Sequence, residues 1–249
     1  MAVIEQLPYC GTAPIPGALL DRFNLDPLLI GSLIVGCACQ WIVLMRGRDR
    51  YYALGGWLVA AAAFLSPLCA LSVSLFSARV AQHMVLILAA APLIAMGWPR
   101  RCRTRTAWAL WASTGIFFVA LWIWHMPAPY GATFESVGIY WAMHLTLFGS
   151  AVCLWRELLH HPGDRTLSVL AAGTLTFVHM GLLGAILAFA DHAMFKWHFS
   201  TTQVWGFTPL QDQQLGGIFM WVPGTALFLW TAIRSVARLW QTNERPRPA

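Results

Sequence analysis

Imidazole and thioether side chains recur as neighbours along this chain, at His83-Met84, His125-Met126, Met143-His144 and His179-Met180, with a looser His192-Ala193-Met194. Together these groups form a ligand set that suits copper, the thioether favouring Cu(I). Consecutive helical residues point about 100° apart, so the two members of one pair cannot both reach one ion. The expected donors are therefore imidazoles from different helices, His83, His125, His144 and His179, joined by one or two thioethers, Met84 and Met180 first. A single such His is as readily a helix–helix hydrogen-bonding residue. Four of them, on four apolar segments, favour a ligand role. Only ten Asp and Glu residues occur, which disfavours the hard cations Mg, Ca and Mn. No nucleophile elbow, P-loop, dinucleotide turn or zinc-protease helix is present, so an enzyme is not expected.

These donors need a scaffold. The 249 residues are 58% hydrophobic and 10% charged, with a mean hydropathy of +0.61; soluble domains carry about 25% charged residues. Seven apolar runs, at 27–45, 52–74, 79–98, 107–126, 136–156, 167–190 and 213–236, are each long enough to cross a bilayer. The fold class is all-α, a polytopic membrane protein of seven transmembrane helices; a barrel would show short alternating segments. Residues 1–26 form a Pro/Gly-rich extracytoplasmic leader lying on the membrane surface, without the basic and apolar regions of a cleavable signal. Residues 27–238 form the membrane domain and 239–249 a cytoplasmic tail. Kinks are expected at Ser66-Pro67, Pro92 and Pro223-Gly224, and a turn at Pro127 to Gly131.

Of the 16 basic residues, all but Arg22, Arg79 and Lys196 fall after the first, third, fifth and seventh runs. The positive-inside rule then sets the N-terminus outside and the C-terminus in the cytoplasm. That orientation reads the net charge of +6 as topology and gives no reason to expect nucleic acid. It also brings His83, His125, His144, His179, His192 and His198 into the outer half, and leaves His160 and His161 cytoplasmic.

Around the expected centre, Asp191 and His192 read as an orienting pair or a solvated lip. Asp212 reads as the cap of the last helix. Gln213 and Gln214, unusual at a membrane end, could fix imidazole orientation by hydrogen bonding. Arg79 is expected at the outer end of the third run, snorkelling to headgroups or repelling a cation. Trp122, Trp124, Tyr130, Trp141, Trp197 and Trp205 fit an interfacial aromatic belt. The six Cys form no CxxC, and no disulfide framework is expected; Cys10 is the one candidate for chemistry.

The order of motifs resembles the CtaG-type seven-helix membrane proteins needed for assembly of haem–copper cytochrome c oxidase in bacteria. Its carriers are Pro67-Leu68, Phe76-Ser77, Gln82-His83, Trp124-His125-Met126-Pro127 with Tyr130, His144, the Gly184 region, Asp212-Gln213-Gln214, Gly217 and Met220-Trp221. The resemblance covers about residues 27–236. It departs at the start of the third run, where the family pattern His-Met-x-x-His reads Arg79, Val80 and then His83. The resemblance implies an assembly factor in the bacterial cytoplasmic membrane that binds Cu(I) at the outer face and delivers it to oxidase subunits, fed by a periplasmic copper carrier. The alternatives are a haem held between His144 and His179, and a metal-free scaffold for an oxidase subunit.

Overall fold

The computed structural model describes residues 7–43, 49–98, 107–160 and 165–243, and among them every regular element is helical. In chain order these are α1 (Pro27–Val43), α2 (Asp49–Leu65), α3 (Leu68–Ser74), α4 (Phe76–Val85), a π turn (Leu86–Ala90), α5 (Ala91–Met96), α6 (Ala107–Trp124), α7 (Pro127–Glu135), α8 (Val137–Leu159), α9 (Thr166–Ala188) and α10 (Pro209–Asn243). Three segments, Phe76–Met96, Val137–Leu159 and Thr166–Ala188, are each long and apolar enough to cross a membrane. The bent pairs α2/α3 and α6/α7 raise the number to five if each is one span. Of the other two expected runs, α1 is a shorter apolar helix and α10 is continuous through Pro223. Arg46, Arg48, Arg100, Arg101, Arg103, Arg105, Arg245, Arg247, Cys102 and His161 lie outside the described residues.

The segment Phe76–Met96 is the central strut. Its membrane-length window is 67% buried, against 33% for α8 and 39% for α9, and α2, α3, α8 and α10 all pack on it. Its irregularities have chemical causes. Pro67 bends α2 from α3 by 47° and offers no N–H to the Ala63 carbonyl four residues back. The Gln82 side-chain amide supplies the missing donor at 2.9 Å. Pro92 likewise leaves the Leu88 carbonyl without its helical partner, and the chain takes up the π turn just before it. There the Trp155 indole donates to the carbonyl of Ile87 at 2.8 Å.

The expected turn after Pro127 is instead the nine-residue α7, set at 77° to α6. Met126 is extended and Pro127 opens the helix, where its missing N–H costs nothing. Ser136 then caps α8 by accepting from the Ile139 amide.

The α9 and α10 helices meet through glycine. A Cβ on Gly217 would come within 2.6 Å of the Gly184 carbonyl oxygen and of the Ala188 nitrogen. Only hydrogen at this crossing lets the two backbones touch.

One end of the bundle is covered by the leader, α7 and the loop between α9 and α10. Here the cysteine expectation fails: Cys10 and Cys69 form a disulfide, with Cα atoms 5.5 Å apart. The pairing joins residues 59 positions apart, with Cys69 inside an apolar run, so local spacing carries no sign of it. The bond holds Tyr9 stacked on Tyr140, ring centroids 4.8 Å apart. The Tyr9 hydroxyl donates to Asp26, holding that carboxyl below its ordinary range, while burial and the same contact push the phenol up. Ser74 donates to the Pro14 carbonyl at 3.0 Å. The leader therefore lies across this end of the helices.

Candidate metal centre

Three of the four expected imidazoles converge. His83 projects from α4, and its ring centroid lies 5.1 Å from that of His144 on α8 and 5.9 Å from that of His125 at the α6/α7 break. All three side chains are buried. The protonation pattern follows from their partners. His144 Nδ1 lies 3.0 Å from the Tyr140 carbonyl, and His125 Nδ1 lies 2.7 Å from the Leu121 carbonyl. A carbonyl only accepts, so both Nδ1 atoms carry the proton and donate it. In the neutral imidazole this leaves the lone pair on Nε2. Each ring is bonded to the carbonyl four residues earlier in the chain, so the helix itself selects the tautomer. His144 Nε2 and both ring nitrogens of His83 are buried without a hydrogen-bond partner.

Unpartnered buried nitrogens are costly, because desolvation is not offset by a bond. Three of them, on two rings that meet edge-on, are lone pairs or N–H groups that a cation or a proton donor could satisfy. The space between His83 and His144 is closed by Leu86, Ile87, Leu147 and Phe148 and admits no water molecule. Among the described residues no group of three or more His, Cys, Asp or Glu is already drawn in to metal-holding distance. The donor chemistry fits a soft or borderline ion, and an ion held there would require the rings to close on it by side-chain rotation.

The remaining expected residues stand elsewhere. The His179 ring packs on Phe118, centroids 4.2 Å apart, and α6 packs against both α8 and α9, which touch each other little. Met84 is buried in the core. Met180 is also buried, its methyl group against Gly224. Met126, the neighbour of His125, is exposed. Asp191 and His192 bond to each other at an exposed lip, where the contact holds the Asp191 carboxyl below its ordinary range.

Asp212 does not cap its own helix. The Thr208 hydroxyl and the Gln211 side chain form that cap reciprocally. The Asp212 carboxylate instead reaches α4, accepting from the Phe76 amide at 2.6 Å, the Ser77 amide at 3.1 Å and the Ser77 hydroxyl at 2.5 Å. Gln213 accepts from the Met194 amide at 2.8 Å and Gln214 donates to the Ala190 carbonyl at 3.1 Å. Both bind loop backbone, because α10 begins beneath that loop.

Two corrections concern Arg79 and Tyr130. The helix that carries Arg79 starts at Phe76, three residues before it, so Arg79 lies inside the protein at 1% exposure. Its guanidinium donates to Thr133 at 2.8 Å and lies 4.1 Å from the centre of the Phe134 ring, 5.4 Å from Tyr130 and 5.7 Å from Tyr140. Tyr130 is buried, not an exposed belt residue, and its hydroxyl pairs with His198 Nε2 at 2.7 Å. His198 Nδ1 meets the Ser74 carbonyl at 3.2 Å, so this imidazole is satisfied at both nitrogens. Burial first, and then Arg79, push its pKa down to about 3.

Tyr140 escaped the sequence reading. Its ring lies tilted against that of His144, centroids 4.3 Å apart, and stacks on Tyr9, forming the roof of the three imidazoles. Its position four residues before His144 was the available signal.

A helical, apolar bundle with three imidazoles buried side by side is the architecture of a membrane protein. The chain belongs to the cytochrome c oxidase caa3 assembly factor family (CtaG), whose profile matches residues 45–242. No curated protein and no solved structure matches it.

Proposed function

We propose that this member of the caa3 assembly-factor family is a non-enzymatic copper carrier of the bacterial cytoplasmic membrane. It holds Cu(I) between His83, His125 and His144 and passes it to a copper site of the oxidase when the two proteins dock laterally. The observation that carries this reading is the tautomer selection. The helix carbonyls hold the Nδ1 protons of His125 and His144, which turns two Nε2 lone pairs into donors beside His83, whose nitrogens have no other use. Second-partner hydrogen bonds of this kind orient and strengthen imidazole ligands. A neutral set without carboxylates also suits an ion of low charge that must later leave.

The membrane arrangement belongs to the same proposal. The bent pairs α2/α3 and α6/α7, the segment Phe76–Met96, and α1, α8, α9 and α10 make seven crossings, with the N-terminus outside and the arginine clusters in the cytoplasm. The leader end then faces the outside, where copper arrives on a periplasmic carrier.

The test is Cu(I) loading of the full chain in detergent, with competition by a Cu(I) chelator and parallel assay of zinc, iron and haem. One Cu(I) per chain is expected, weakened at least tenfold by either His144→Ala or His125→Ala. Folded protein that takes no Cu(I), or wild-type affinity retained in both variants, overturns the reading. Iron with a Soret band would identify a haem protein instead.

A further inference from the structure

Arg79 is a buried cation. Its guanidinium is buried inside a membrane-type bundle, and among the described residues no carboxylate pairs with it. Its Nε has no hydrogen-bond partner. Thr133 and the rings of Phe134, Tyr130 and Tyr140 hold it, and none of these cancels the charge. Asp212 lies on the neighbouring helix, but its carboxylate is committed to three donors at the positive N-terminal end of α4. Glu135 is exposed, and solvent screens it.

This cation faces the imidazole centre. Arg79 and His83 are four residues apart on α4, hence neighbours on one helix face. The guanidinium also lies 5.7 Å from the centre of the Tyr140 ring, which packs at a tilt against His144. The centre thus consists of neutral donors beside a fixed positive charge in a site that admits no water.

We propose that Arg79 is a specificity-determining residue that sets the charge of the ion the centre accepts, favouring monovalent Cu(I) over divalent ions. The inference rests on the imidazole centre proposed above. Coulomb repulsion scales with the charge of the ion, so a divalent ion meets twice the penalty of a monovalent one. With the two charges within roughly 10 Å and an effective dielectric constant of about 20, each unit of ion charge weakens binding by about tenfold. Imidazole alone discriminates poorly between copper and zinc. The guanidinium adds discrimination without touching the metal, which is also why it needs no ligand geometry.

The test measures Cu(I) and Zn(II) affinities of the full chain in detergent, by chelator competition, in the wild type, Arg79→Gln and Arg79→Lys. Arg79→Gln is expected to tighten Cu(I) by about tenfold and Zn(II) by about a hundredfold, since the gain in log affinity must double with ion charge. Arg79→Lys, which keeps the charge, should leave the ratio of the two affinities unchanged. Should Arg79→Gln fail to fold, Thr133→Asp retains the guanidinium and pairs it, and the same doubling is expected. Equal shifts for both ions, or none, in a folded variant overturn the inference while leaving the centre intact. Wild-type protein that binds no Cu(I) removes the centre itself, and the selector with it.

Discussion

Replacing Asp212 with Ala severs the polar link between α10 and α4. The carboxylate accepts two backbone amides and one hydroxyl, all buried. Alanine leaves the Phe76 and Ser77 amides without acceptors in a place water does not reach. Each orphaned buried donor costs about 1–3 kcal/mol, and loss of a negative charge at a helix N-terminus adds about 0.3–1 kcal/mol. A destabilisation on the order of 4 kcal/mol follows. For a chain of this size that corresponds to a fall in Tm of roughly 8–16 °C. Asp212→Asn keeps one acceptor oxygen and should lose about half as much. Thermal unfolding in detergent, followed by circular dichroism, measures both. Because α4 carries Arg79 and His83, Cu(I) affinity should fall in the same order. A Tm for Asp212→Ala within 2 °C of wild type would refute the assignment of this carboxylate as the cap of α4.

Two further outcomes follow from local geometry. The folded pKa of His198, pushed down to about 3, lies below the ordinary histidine value of 6.5, so the unfolded chain takes up a proton that the folded protein refuses. Stability is then flat above about pH 6.5 and falls by about 1.4 kcal/mol per unit as pH drops from there towards 3. Tm measured at pH 7.5 and 5 should show a smaller acid loss in His198→Gln than in wild type, and an identical loss would count against burial of a neutral ring. Gly217→Ala places a methyl group against the backbone of Gly184 and Ala188, and the strain should lower stability by about 1–3 kcal/mol. An unchanged Tm for that variant would mean that the two helices do not cross there.

The helices were legible because a bilayer-spanning segment must be continuously apolar, and that signal survives in one dimension. Three of the four expected imidazoles met for a related reason: a polar ring in an apolar run has few places to go except another polar group. His179 shows the limit. Its ring rests on Phe118, a contact set by rotation about the helix axis, which the near-uniform apolarity of α9 does not encode. The Asp212–α4 link and the Gln213 and Gln214 contacts were misassigned because the sequence shows a carboxylate or amide at a helix start but not which helix it serves. The expectation of a surface position for Arg79 fails because α4 starts at Phe76, before the apolar run does, and one helical turn separates a headgroup contact from full burial. The π turn at Leu86 had no separate signature beyond Pro92.

The Cys10–Cys69 bond fixes an order of events in the life of the chain. Protein disulfides persist in oxidising compartments and are scarce in the cytosol of most bacteria. On the orientation proposed above, the bond closes only after the leader has been translocated and α3 inserted, an argument for that orientation independent of the arginines. Until then Tyr9 is not held on Tyr140, and the imidazoles lack the outermost layer of their roof. For the carrier proposed above, a newly made chain would be open to its cargo during export and enclosed only after oxidation, so that a single oxidation would couple its maturation to the opportunity to load it.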